Sequence, residues 1–289
     1  MASVEANGIT IEYDVQGDGD PLLLVMGLGG QLTDWPQPVV DLFVERGFQV
    51  IRYDNRDIGL STEFRWEPPS MARNVLSMVA RRPVRAGYTV RDMAADAAAL
   101  LASLGVDAAH VVGMSMGGMI AQQLAISHPS TVRSLTSIMS NTGDRKHGSI
   151  SKRLLPKLAR RPEPTRENAV DESVRLFRMI SGPAFDAVEH RRLATLNLHR
   201  SFRPEGTARQ AAAIAASPDR TAGLRAVTAP TLVVHGLLDP LVLPSGGVAT
   251  AAAVPGSRLV MYPDMGHDLP RTRIEEITDA VRRNADRAG

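Results

Sequence analysis

The tightest constraint in this chain is a strand that has to turn at once into a helix with a serine at the corner. It lies at His110–Met119, HVVGMSMGGM. Val111 and Val112 are β-branched and apolar, and they run straight into Gly113-Met114-Ser115-Met116-Gly117. Gly118–Ile126 then has helical character. Gly-x-Ser-x-Gly between a buried strand and a helix is the pattern of a nucleophile elbow. So sharp a corner puts Ser115 in a strained backbone conformation and lifts its hydroxyl clear of the sheet. Glycine is required at 113 and 117 because a Cβ there would collide with neighbouring backbone. The helix starts just past the serine, so its free N–H groups and positive dipole end face any oxyanion formed there.

The rest of the chain must supply the sheet. Its 289 residues suffice for one large domain or two small ones. Ile9–Val15 alternates, with Ile9, Ile11 and Tyr13 on one face. Pro21–Met26, PLLLVM, is a continuous apolar run, as expected of a strand buried on both faces. A helix at about Pro38–Arg46 and a strand at Phe48–Tyr53 follow. Thr89 caps a helix over Val90–Leu104, and Val132–Met139 is another strand. This alternation predicts an α/β fold with a mostly parallel central sheet.

The alternation stops between about Asn141 and Thr221, where there are apolar stripes of helical period and no obvious buried strand. Leu154, Leu155 and Leu158 form one stripe, Val170, Val174, Phe177 and Ile180 a second, and Ala208–Ala216 a third. The expected organisation is a core made of residues 1–140 and 222–289, with residues 141–221 inserted as a helical cap over the C-terminal edge of the sheet. Ligands of open α/β sheets bind at that edge. Strands resume at Thr231–Val234 and Arg258–Tyr262, with helices at Gly246–Ala253 and Ile274–Ala285. A short helix near Met71–Val79 is expected at the site mouth.

A serine hydroxyl needs a base within about 2.6–3.2 Å and a third group to orient that base. Of seven histidines, only His267 sits in a glycine-containing loop just past a strand end on the same edge as Ser115. His110 and His235 fit structural roles at strand edges, His128 ends a helix, and His147, His190 and His199 fall in the insertion. Asp239, a few residues after Thr231–Val234, is the candidate acid, with Asp144 as its competitor. Asp264 and Asp268 flank His267 too closely to reach its Nδ1 and are expected to face solvent. The oxyanion donors are the backbone N–H groups of Met116 and Leu28, the latter in the glycine-rich turn Gly27-Leu28-Gly29-Gly30. Polar residues from Asp54 to Ser61 are expected to brace the loops of the site.

Together these motifs resemble the α/β-hydrolases along nearly the full chain, in the order Ser115, Asp239, His267. VIRYDNRDIGLST, with VMGLGG before it, is similar to bacterial esterases and lipases related to aclacinomycin methylesterase. That resemblance implies carboxylic-ester hydrolysis under a helical cap, with no metal or organic cofactor. The chain departs from the usual His-Gly before the oxyanion loop, having Met26-Gly27. A cofactor-free haloperoxidase or perhydrolase would use the same three residues and is the alternative. A carbon–carbon bond hydrolase comes third, and a small-molecule receptor on this fold is the reading outside enzymes.

The expected partner is a small ester with an apolar part. A net charge of +2 argues against nucleic acid, and no apolar run reaches the ~20 residues of a membrane span. Without cysteine, disulfides and thiolate chemistry are excluded. The start MASVEANGIT lacks a charged segment followed by an apolar one, so the expectation is a cytoplasmic protein. The basic run Arg145, Lys146, Lys152, Arg153, Lys157, Arg160, Arg161 and Arg166 is either a solvated helix face or a weak contact for an anionic surface.

Overall fold

The apolar runs become neighbouring strands of one sheet in the computed structural model, which describes residues 1–70, 73 and 84–288. The strands are β1 (Ala2–Ala6), β2 (Ile9–Gln16), β3 (Asp20–Val25), β4 (Phe48–Tyr53), β5 (Ala109–Met114), β6 (Val132–Ile138), β7 (Thr231–Gly236) and β8 (Arg258–Tyr262). Their spatial order is β1-β2-β4-β3-β5-β6-β7-β8. The pairs β1–β2 and β2–β4 are antiparallel, and all others are parallel. β1 was not foreseen, and its side chains are mostly exposed.

Helices lie on both faces. Successive β3 side chains take opposite sides and from Leu22 to Val25 all are buried, which is why PLLLVM shows no alternation. Leu23 and Val25 join Val111 under α2 (Val90–Ser103) and α3 (Met116–Ser127), against Met93, Leu100, Leu101, Ile120 and Leu124. Leu22 and Leu24 join Val112 and Val234 under α1 (Gln37–Glu45) and the last long helix, Arg271–Ala285, against Val39, Val40, Phe43, Ile277 and Val281. Each such side chain contributes about 1.5–3 kcal/mol on burial.

Between β6 and β7 come α4 (Leu155–Ala159), α5 (Ala169–Ile180), α6 (Ala187–Arg200), α7 (Pro204–Ala216) and α8 (Thr221–Leu224), with no strand among the described residues. α6 was not foreseen: of AVEHRRLATLNLHR only Asn197 is buried, so it carries no apolar stripe. After β7 come α9 (Ser245–Ala253), β8 and α10 (Arg271–Ala285). Among the described residues no helix is long and apolar enough to cross a membrane. Apart from Arg73, the helix expected over Met71–Val79 lies outside the described residues.

Parallel register brings four loops to one rim. Val25 is level with Gly113, and Met114 with Ile138. Val234 is level with Ile138, and Gly236 with Tyr262. The segments that leave β3, β5, β7 and β8 therefore emerge side by side, carrying Leu28, Ser115, Asp239 and His267.

Candidate active site

Ser115 adopts φ 56°, ψ −118°, a conformation that costs a non-glycine residue about 1–3 kcal/mol. Its neighbours enforce it. A Cβ on Gly113 would overlap the Gly117 carbonyl, and one on Gly117 would overlap the Val25 carbonyl. The Ser115 N–H donates to Ile138 O at 2.8 Å, and its carbonyl accepts from Met119 N at 3.2 Å. Both ends of the corner are thus tied, one to β6 and one to α3.

The structure brings Ser115, His267 and Asp239 together. His267 Nε2 is 3.0 Å from Ser115 Oγ, and His267 Nδ1 is 2.7 Å from Asp239 Oδ2. An ionised carboxylate only accepts, so Nδ1 carries the ring proton and Nε2 is left to accept from the serine hydroxyl. Asp239 Oδ1 accepts from the Leu241 and Val242 N–H groups, both at 2.8 Å. Burial opposes the charge on Asp239. The His267 ring and the hydrogen bonds from His235, His267 and Val242 N–H outweigh it, holding the carboxyl below the usual range.

His267 is fixed through its backbone, whose N–H donates to Ile180 O at 2.7 Å. The helix α5 therefore ends against this loop. Asp268 does not face solvent as the sequence suggested. Its Oδ1 accepts from Gly182 N at 3.0 Å and Gly266 N at 3.1 Å, closing the loop onto the residues after α5. Two convergent backbone donors outweigh hydration of this one carboxylate, which no local sequence pattern reveals. Asp264 is half-buried and pairs with Arg273 at 3.1 Å. Asp144 pairs with His147 Nδ1 at 2.5 Å.

The remaining histidines have other partners. His110 Nδ1 meets Ser134 Oγ at 2.8 Å. His235, fully buried, donates from Nε2 to Val242 O at 2.8 Å, so it steadies the segment that holds Asp239. His190 Nε2 meets Ser173 Oγ at 2.9 Å. Among the described residues no three His, Asp or Glu side chains group as metal ligands.

The turn after β3 lies directly against the serine. A Cβ on Gly27 would come within 3.2 Å of Ser115 Cβ. Gly30 N donates to Gly27 O at 3.1 Å, and Gly29 N donates to Gln210 Oε1 at 2.9 Å. Among the described residues none accepts a hydrogen bond from the N–H of Leu28 or of Met116. Nothing in the sequence marks Gln210, a lone glutamine within an alanine stripe.

The polar segment after β4 does brace these loops. Asp54 accepts from Leu32 N at 2.7 Å and Leu60 N at 2.9 Å, and pairs with Arg200 at 2.7 Å. Asn55 Nδ2 donates to Met26 O at 3.1 Å. Arg56 meets Asp96 at 2.6 Å, and Arg209 meets Asp57 at 2.8 Å. Of the basic run, Arg161 pairs with the buried Glu172 at 3.7 Å, while Lys152, Arg153, Lys157 and Arg160 face solvent.

Such an arrangement can deprotonate a serine as it attacks an electrophilic carbon. Residues 20–270 match the family model described as alpha/beta hydrolase fold. Rhodomycin D methylesterase DnrP of Streptomyces peucetius is 31% identical over 295 residues, covering 92% of each chain. Among solved structures, the enol-lactonase from Burkholderia xenovorans LB400 superposes with a TM-score of 0.76 at 21% identity, covering 99% of this chain and 100% of that one. A thermophilic esterase from Thermogutta terrifontis superposes with a TM-score of 0.73 at 24% identity, covering 100% and 99%. At these identities the solved structures speak for the fold.

Proposed function

The chain belongs to the α/β-hydrolase fold family and is a hydrolase of carboxylic esters, and from that premise we propose that Ser115, His267 and Asp239 carry the reaction through an acyl-enzyme. The observation that supports this most is the unbroken relay of 3.0 Å and 2.7 Å from a strained serine to a buried carboxylate.

In the first half, Ser115 Oγ attacks the ester carbonyl carbon and its proton passes to His267 Nε2. The carbonyl oxygen becomes an oxyanion and lodges between the Leu28 and Met116 N–H groups. His267 then protonates the departing alcohol oxygen as the carbon–oxygen bond breaks. In the second half, water gives a proton to the same imidazole and attacks the acyl carbon. The acid leaves and Ser115 recovers its proton. Asp239 holds the tautomer and stabilises the imidazolium in both halves. One such oxyanion donor is worth about 2.7–4 kcal/mol of transition-state stabilisation.

Residues 141–221 act as a cap in this reading, because α5, α6 and α7 meet the loops that carry His267 and Leu28. The substrate form is a methyl ester of a larger apolar acid. Support for that comes from the similarity to DnrP along 92% of the chain.

The test combines labelling and turnover. A fluorophosphonate labels Ser115, and Ser115→Ala abolishes turnover of p-nitrophenyl acetate. Labelling elsewhere, or turnover surviving Ser115→Ala, refutes the assignment. On one acyl donor, hydrolysis outruns peracid formation from hydrogen peroxide. The reverse ranking would favour perhydrolysis. Methyl esters of a graded series of acids then locate the acyl preference.

A further inference from the structure

The turn that carries Leu28 is held by a side chain 181 residues further along the chain. We propose that Gln210, on α7, is a positioning residue for the oxyanion hole. Its amide clamps the backbone of the Leu28 turn to the segment after β4. This rests on the reading above that the Leu28 N–H receives the oxyanion.

Gln210 is completely buried. Its Oε1 accepts from Gly29 N at 2.9 Å, and its Nε2 donates to Arg56 O at 2.9 Å. One partner is a donor and the other an acceptor, so the amide has a single orientation that satisfies both. Gly29 is the residue next to Leu28 and has φ +73°. Fixing its N–H fixes the Leu28–Gly29 peptide plane, and with it the direction of the chain at Leu28.

Two further contacts limit how the turn can move. A Cβ on Gly29 would meet Thr207 Oγ1 at 2.9 Å, so α7 also backs the turn sterically. On the other side, Gly27 abuts Ser115. The turn is thus pressed between the nucleophile and α7, and Gln210 sets where it stops. Met26, just before the turn, is an apolar core residue with no hydrogen bond to offer from its side chain. Asn55 reaches only its carbonyl, at 3.1 Å. Within Gly27–Gly30, the hydrogen bond that ties the turn to another element therefore comes from α7.

The anchor is itself rigid. Arg56 is locked to Asp96 through two contacts of 2.6 Å, and the neighbouring Arg209 on α7 is locked to Asp57 at 2.8 Å. A displacement of α7 would pull on Gly29 before it disturbed Ser115, His267 or Asp239. Oxyanion stabilisation is consequently the part of the chemistry that depends on how α7 is seated.

Two variants test this. Gln210→Met keeps the volume and removes both hydrogen bonds. Gln210→Glu keeps an acceptor for the Gly29 N–H. Active sites are first counted by the end point of fluorophosphonate labelling, so that misfolded protein is not read as slow enzyme. Per labelled site, Gln210→Met lowers kcat about ten- to a hundredfold, with KM within about twofold. A trifluoromethyl ketone, whose adduct with Ser115 places an oxyanion in the hole, loses affinity in parallel with kcat/KM. Gln210→Glu retains more activity than Gln210→Met.

Unchanged kcat per labelled site in Gln210→Met overturns the proposal. So does an inverted ranking, since a role in packing alone would favour Met over Glu. If Gln210→Met does not fold, Gln210→Asn, one methylene too short to reach Gly29 N and Arg56 O together, decides: a lower kcat at unaltered KM supports the role, and an unaltered kcat overturns it. Turnover by wild-type protein that survives Ser115→Ala would instead refute the underlying reading of the site.

Discussion

The two oxygens of Asp239 serve different partners, and that division decides what an amide in its place would do. Oδ1 accepts from two backbone N–H groups, Leu241 and Val242, while Oδ2 accepts from His267. In Asp239→Asn the carbonyl oxygen goes to the pair of backbone donors, because an NH2 group there would leave both of them unsatisfied in a buried place. The NH2 then faces His267 Nδ1 and forces the ring proton onto Nε2. Ser115 has no base in that tautomer. We expect kcat to fall by about 10⁴ with KM nearly unchanged, measured on p-nitrophenyl acetate at neutral pH. Retention of more than about a tenth of wild-type kcat would contradict the assigned tautomer.

At the scale of elements, the elbow and the sheet were legible because their signals are local. PLLLVM and HVVGM are continuous apolar runs, and in the structure all but Pro21 and Met114 are buried. The glycines flanking Ser115 have a steric cause at hand. In Gly117→Ala the new methyl overlaps the Val25 carbonyl, which β3 pairing cannot release. The cost is about 3 kcal/mol or more. Gly105→Ala, at φ +71° with open space around it, costs only about 1–2 kcal/mol. Urea midpoints of the two variants, at unchanged m, check the difference. Elements without such signals were not legible. β1 is an edge strand with one buried residue, and α6 buries a single asparagine. Gln210 and Asp268 act on backbone groups 181 and 86 residues away. Contacts of that range leave no periodic trace, so sequence pattern led to Ser115, Asp239 and His267 but not to the groups that hold them in place.

On the scale of the whole molecule, two buried titratable groups oppose each other. Asp34 lies where the β3 loop meets α6. Burial chiefly, together with the nearby Asp54 charge, pushes its carboxyl up to about 6 from 3.8, despite hydrogen bonds from Gln31 N–H and Asn197. Its folded value is above its unfolded one, so the stability it contributes is full below 3.8 and is lost as pH rises through about 6. His110 lies in the sheet, fully buried against Phe48. Burial, with the charges of Arg133 and Arg282, lowers its ring to about 4 from 6.5. Its contribution is full above 6.5 and is lost as pH falls through about 4. Each span of about two units corresponds to about 3 kcal/mol, with opposite sign over nearly the same window. The two therefore largely offset in the wild-type protein. Asp34→Asn removes the first and keeps the second. Whatever the variant loses in hydrogen bonding is independent of pH, so the prediction concerns the difference in Tm, variant minus wild type. That difference rises by about 5 °C between pH 4 and pH 8. Melting curves across that range are the measurement, and a difference that stays constant would show that Asp34 titrates alike in the folded and unfolded chains.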